Sequence, residues 1–135
     1  MIEISEKLSR EDRELLAAAR KAVVDNSGKY PVGAALRCRS GAIYTGVNIY
    51  CLHGPCAESI ALGSAVSAGE SSFDCIVAVD KNGDILSPCG NCRQMLIDTA
   101  PDCRVIIMTE DGEEKFTVKE LLPYAYDLFR HIEQD

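Results

Sequence analysis

No apolar run in these 135 residues approaches the length a helix needs to cross a bilayer, so no membrane partner is expected. The opening stretch MIEISEKLSREDRELL is charged and lacks the apolar centre of a secretory leader. The expected location is therefore the cytoplasm. There is no internal repeat, no low-complexity segment and no linker-like stretch, so residues 1–135 read as a single domain. Positive charge is also short. The chain has 14 Lys and Arg against 21 Asp and Glu, a net charge of −7. A surface of that sign repels phosphate backbones, which argues against nucleic acid as substrate or partner. It tolerates a neutral or cationic small molecule.

Cysteine, by contrast, is abundant. Seven cysteines is an odd number and a high one for a reducing compartment, where disulfides are not the default. A 47% hydrophobic composition supplies a core without staples. Some of the thiols should therefore be metal ligands or catalytic groups. The others, Cys38, Cys51, Cys75 and Cys103, read as small buried hydrophobes, with Cys51 the least clear because it lies close in sequence to the candidate site.

Ser9 followed by Asp12 opens a helix whose apolar face is Leu15, Leu16, Ala19, Ala22 and Val23, and Gly28 stops it. PVGAALRCR (31–39) and AIYTGVNIY (42–50) flank Ser40-Gly41 as a hairpin. Residues 56–69 predict a second helix and 89–99 a third. CIVAVD (75–80) and RVIIMT (104–109) are apolar runs of the kind found in strands covered on both faces. EDGE turns into a short KFTV, and KELLPYAYDLFRHIEQD reads as helix interrupted at Pro123. The order α-β-β-α-β-α-β, with helices at the end, predicts a mixed sheet between helix layers.

Two segments carry chemistry. In SPCGNCRQML (87–96), Cys89 and Cys92 are three apart on the first turn of a helix, so both sulfurs can reach one ion. The helix N-terminus favours their thiolates. A single CxxC also fits a redox pair or half of a structural zinc knuckle. A third thiol, Cys56, begins another helix in HGPCAESIALGSA (53–65). Three thiolates with one open position is the pattern of a catalytic zinc rather than a structural one. Glu58, two residues after Cys56, can point at that open position and act as general base. His53 reads as a loop or substrate-side histidine, because the cysteines already fill three positions. Cys56-Ala57-Glu58 followed by Pro88-Cys89-Gly90-Asn91-Cys92 matches the generic zinc-deaminase signature.

With those residues the chain resembles the small, three-cysteine zinc type of the cytidine deaminase family, and within it most nearly the blasticidin-S deaminases. The resemblance runs from YPVGAAL (30–36) through GVNIY (46–50), PCAESIALGSAVSAG (55–69), CIVAV (75–79) and ILSPCGNCRQML (85–96) to KELLPYAYDL (119–128). It implies a three-layer α/β/α fold with a mixed five-stranded sheet, and a homotetramer. It implies Zn²⁺ on Cys56, Cys89 and Cys92, with Glu58 as proton shuttle for hydrolysis at C4 of a cytosine nucleoside. It places backbone groups of Ala57 and Pro88 at the pyrimidine edge, Tyr30 near the ring, and Tyr126 as an aromatic that closes the site. Packing and turn roles remain open for Tyr30, Asn48, Tyr50 and Tyr126. Ala61, Gly63, Ser64, Ala65 and Ala68 would let helices approach closely in a core or between subunits.

The chain departs from the family in two places. Cytidine deaminases carry Asn-x-Glu after the second strand, both side chains binding a ribose hydroxyl. Here the segment is Asn48-Ile49-Tyr50. Loss of that charged acceptor should cost cytidine about 1.5–3 kcal/mol. The Asn-x-Tyr pattern is shared with the blasticidin-S deaminases, whose substrate has a modified sugar and a cationic tail. The family often places Arg after the catalytic Glu, against the thiolates. Here Ser59 stands there, leaving the two helix N-termini, helped by Arg93, to offset the charge of the site. The expected activity is hydrolytic deamination of a blasticidin-S-like cytosine nucleoside. The alternatives are cytidine or deoxycytidine deamination in pyrimidine salvage, and a non-catalytic zinc-stabilised binding module.

Overall fold

The structure is a computed structural model that describes residues 7–129. It contains helix α1 (Arg10–Asp25), strands β1 (Gly33–Cys38) and β2 (Ile43–Val47), and helix α2 (Ala57–Ser67). Then come β3 (Phe73–Val79), the two-residue β4 (Ile85–Leu86), α3 (Gly90–Thr99), β5 (Arg104–Thr109), β6 (Gly112–Thr117) and α4 (Val118–Leu121). The sheet runs in the order β2-β1-β3-β5-β6, with β4 paired to the end of β3. β3 and β5 are parallel and the other pairs antiparallel, so the sheet is mixed as expected.

Alternation along the strands sorts side chains to the two faces. Ala34, Leu36, Ile76 and Ala78 pack with Ala57, Ala61, Leu62, Ala65 and Leu96 beneath α2 and α3. Ala35, Cys75, Val77, Val79 and Ile106 pack with Leu15, Leu16, Ala19 and Val23 of α1 on the opposite face. The result is the expected α/β/α layering. Two glycines set how closely helix meets sheet. A Cβ on Gly33 would lie 2.5 Å from the Ala19 carbonyl of α1. One on Gly46 would lie 2.6 Å from the Ala61 amide of α2. Close packing of α2 on β2 fixes the helix whose first turn carries Cys56 and Glu58.

Of three further expectations two change and one holds. The last strand is not the short KFTV. Thr109 pairs with Gly112, so the chain turns within two residues and the charged Glu113, Glu114 and Lys115 are already in β6. The charges of Glu113 and Glu114 made the segment before Lys115 read as a turn, whereas such charges are normal on an edge strand. The interruption expected at Pro123 is present: α4 stops at Leu121, because Pro123 cannot continue it and disfavours helical geometry at Leu122 (φ −145°, ψ 71°), and helix returns only at Leu128 and Phe129. Tyr124 then takes a left-handed conformation at φ 58°. The HIEQD end of that expected helix lies outside the described residues. Third, Cys51 is exposed, while Cys38, Cys75 and Cys103 are buried as expected.

One buried polar cluster ties α1 to the sheet. Asp12 is fully buried and closes a capping box with Ser9. Its carboxylate accepts from Arg37 Nη2 at 2.8 Å and lies 3.0 Å from Lys115 Nζ. Arg37 Nε also reaches Asp74 at 2.8 Å. Burial opposes ionisation of Asp12, but the Ser9 amide, Arg37 and Lys115 outweigh it and lower its pKa to about 2.

Candidate active site

The N-termini of α2 and α3 carry the candidate metal ligands. Cys56 is the N-cap of α2 and Cys89 that of α3, both with extended backbone. Neither helix has a side-chain cap hydrogen bond, so their first-turn N–H groups remain available to anionic groups at the helix ends. Cys92 follows in the first turn of α3. The three sulfurs lie within 4.8 Å of one another, and Cys56 and Cys89 are 3.7 Å apart. Tetrahedral zinc–thiolate bonds of ~2.3 Å need sulfurs ~3.8 Å apart, so this soft donor set fits zinc.

Glu58 sits one helical step into α2 and is only 6% exposed. Burial raises its carboxyl above the ordinary glutamate value, while its own backbone N–H and the Cys92 thiol offset part of the rise. Burial likewise raises Cys56, with Cys89 and Glu58 adding to the rise. Burial and the neighbouring Glu58 and thiols raise Cys92 strongly. Cys89 goes the other way. Burial opposes its thiolate, but the N–H groups of Cys92 and Asn91 and the two neighbouring thiols outweigh that and lower it. Among the described residues no ion pair reaches Glu58, and the neighbouring Arg93 donates to the Pro88 and Leu121 carbonyls rather than to a thiol. The site collects acids around one point with no side-chain cation to balance them.

A cavity of about 220 Å³ opens beside the cluster. Cys56, Ala57, Glu58, Cys89 and Asn48 line it, as do Val32, Leu86 and Ser87. The last three were not read as site residues. Val32 lies just before β1 in YPVGAAL, far in sequence from the motifs, and Ser87 immediately precedes Pro88-Cys89. Leu86 arrives through β4, whose two residues are too few to leave a periodic signal.

The remaining candidates are placed less centrally. Asn48 Oδ1 accepts from the Val32 amide at 3.0 Å, so its oxygen braces the end of the hairpin while the residue lines the cavity. Pro88 is buried and its carbonyl accepts from Arg93 Nε at 2.9 Å. The Tyr30 and Tyr50 rings lie 6.4 Å apart, and Tyr50 is 67% exposed. Neither tyrosine lines the cavity, and Tyr126, 57% exposed, does not either. Ser59 Oγ meets Met95 Sδ at 3.4 Å, and the Arg93 guanidinium binds the Pro88 and Leu121 carbonyls. Neither makes a hydrogen bond to a thiol. His53 is exposed in the turn closed by the Gly54 amide on the Cys51 carbonyl.

Comparison with known proteins agrees with this geometry. The cytidine and deoxycytidylate deaminase zinc-binding region matches residues 5–109. Blasticidin-S deaminase of Bacillus cereus is 40% identical over 132 residues, covering 88% of this chain and 94% of that protein. A cytidine deaminase of Sporosarcina psychrophila is 39% identical over 127 residues, 90% of each chain. The crystal structure of cytidine deaminase from Mycobacterium leprae superposes with a TM-score of 0.70 at 32% identity, covering 82% of this chain and 96% of that one.

Proposed function

The chain belongs to the cytidine and deoxycytidylate deaminase family of zinc enzymes, and we propose from its site that it hydrolyses the C4 amino group of a blasticidin-S-like cytosine nucleoside. The observation that carries this reading is the cavity itself. Three thiols within 4.8 Å of one another and a buried glutamate converge beside a space of about 220 Å³. Cys56, Cys89 and Cys92 would hold the zinc. The metal, when bound, supplies the Lewis acidity that makes water a nucleophile at neutral pH.

The protein's own groups account for the rest. Glu58 is buried with its pKa raised, which suits a carboxyl that must both accept and release protons. It would take a proton from the attacking water and deliver it to N3 of the ring as oxygen adds to C4. A second transfer to the departing amino nitrogen releases ammonia and leaves the carbonyl. Ala57, at the first position of α2, offers backbone to the ring edge, and Val32 and Leu86 give the cavity apolar walls. A non-catalytic zinc module would use a fourth protein ligand or lack the glutamate, and this cluster has three thiols with Glu58 beside them.

Asn48 at the cavity wall favours the ordinary cytidine reading, since an amide there can meet a sugar hydroxyl. Against it stands Tyr50 in place of a carboxylate. The acidic composition, net charge −7, suits a cationic substrate and is unsuited to nucleic acid. No described helix is long and apolar enough to cross a membrane, and a cytoplasmic location accords with that. The homotetramer draws support from α2, where Ala61 and Ala65 face the core but Gly63, Ser64 and Ala68 are exposed small residues that a second helix could approach.

Zinc-loaded protein should be offered cytidine, deoxycytidine and blasticidin S side by side, following loss of the cytosine chromophore. The expected result is kcat/KM for blasticidin S above that for cytidine by about tenfold or more, the cost of the missing acceptor. Faster cytidine turnover would assign the chain to salvage. No turnover of any of the three, with zinc confirmed, would remove the cytosine-nucleoside reading and point to other aminated rings.

A further inference from the structure

Arg93 and Gln94 are successive residues on α3, and both spend their side chains on the main chain of a segment far away in sequence. Arg93 Nη1 donates to the Leu121 carbonyl at 2.9 Å, and Gln94 Nε2 donates to the Tyr126 carbonyl at 2.9 Å while also donating to Asp98 Oδ1 at 3.0 Å. Between those two carbonyls the chain has Pro123, which lacks an N–H, and Tyr124 at φ 58°. No helix or strand holds residues 122–126. The segment therefore depends on contacts supplied from outside it. The same Arg93 guanidinium uses its Nε on the Pro88 carbonyl at 2.9 Å, and this bond is part-buried. Pro88 lies between Ser87 and Cys89, which both line the cavity. One planar group thus joins the C-terminal segment to the cavity wall.

We propose that Arg93 and Gln94 are positioning residues: they fasten the Leu121–Tyr126 segment to α3, and Arg93 holds the Ser87–Cys89 wall in register with it for substrate binding. The fork of an arginine suits this task, since two N–H groups in one plane meet two carbonyls at once. A lysine keeps the charge but is a single point donor and cannot bridge both. Displacing the C-terminal segment would then displace the Pro88 peptide, and the cavity would lose fit rather than chemistry. The kinetic half of this proposal rests on the deaminase reading above; the structural half does not.

The test uses Arg93→Lys and Gln94→Met in zinc-loaded protein. Three quantities are compared with the parent: amide hydrogen exchange, bound zinc, and KM and kcat with cytidine and blasticidin S. Arg93→Lys should speed exchange both at 119–126 and at 89–91. It should retain zinc, raise KM about tenfold and leave kcat within about twofold. Gln94→Met should speed exchange only near 126 and raise KM about threefold. Unchanged exchange at 119–126 in both variants would overturn the fastening role. Loosened exchange with unchanged KM would overturn the link to the cavity. Loss of zinc with a collapse of kcat in Arg93→Lys would overturn the proposal by moving Arg93 to the metal site. If the parent turns over no cytosine nucleoside, the cytosine-nucleoside reading falls by itself, and exchange with zinc retention still decides the fastening.

Discussion

Two clusters of titratable groups, each built around a buried carboxyl, lie on opposite faces of the sheet, and they are built on opposite principles. Under α1, Asp12 and Asp74 meet Arg37 and Lys115, so two acids face two bases within 2.8–3.0 Å. At the start of α2 and α3, Glu58 and three cysteines meet one another and no basic side chain. The first cluster balances its charges within the chain, although Arg37 Nη1 is buried without a hydrogen-bond partner, and Asp12 has a lowered pKa. The second is incomplete, and three of its four groups have raised ones. A buried carboxyl, Asp12 or Glu58, is common to both, so a buried acid alone does not mark a candidate site. What marks it is a missing countercharge, which a dication supplies.

The comparison breaks if the two clusters answer mutation alike. Glu58→Gln should lower kcat by about 10²–10⁴. It should leave bound zinc and thermal stability unchanged or slightly raised, because an amide replaces a carboxyl that burial penalises. Zinc assay, melting and turnover on one preparation decide this, and retained turnover would remove Glu58 from the mechanism. Asp12→Asn should do the reverse. It strands Arg37 and Lys115 without their buried partner and should cost about 3–5 kcal/mol in urea unfolding. Turnover well below the melting range should stay close to that of the parent. A large loss of turnover there would mean that the α1 face contributes to the site after all.

The sequence was most legible where chemistry fixes spacing. Cys56, Glu58, Cys89 and Cys92 could be expected together from two short motifs, because a metal would need donors at helix starts, and the fold does bring those starts together. Strand periodicity and apolar runs likewise predicted the central sheet. Legibility failed where contacts are long-range or local cues mislead. Leu86 reaches the cavity on a two-residue strand, and β6 hides under edge charges. Arg93 was read as balancing thiolate charge because it lies near them in sequence. Its partners are carbonyls, one of them 28 residues away, and no pattern in the chain announces that. Cys51 was read with the buried thiols on residue type alone, yet it sits in an exposed turn.

The smallest effect expected is the most specific to the self-balanced cluster. Asp12 is held at about 2 in the folded chain against an ordinary value of 3.8. A carboxyl with a lowered folded pKa adds stability that is fully present above its unfolded value, near pH 4. That stability is lost as pH falls towards 2, because the unfolded chain binds the proton first. The contribution is at most ~2 kcal/mol. Acid also protonates the thiolates and releases metal, so the measurement belongs to metal-free protein in chelator, with urea unfolding followed from pH 6 to pH 2. The parent should lose stability faster than Asp12→Asn below pH 4, and the two curves should draw together by up to ~2 kcal/mol. Parallel curves would mean that Asp12 titrates alike in the folded and unfolded chain. The Arg37–Asp12–Lys115 contacts would then bring it no net electrostatic stabilisation.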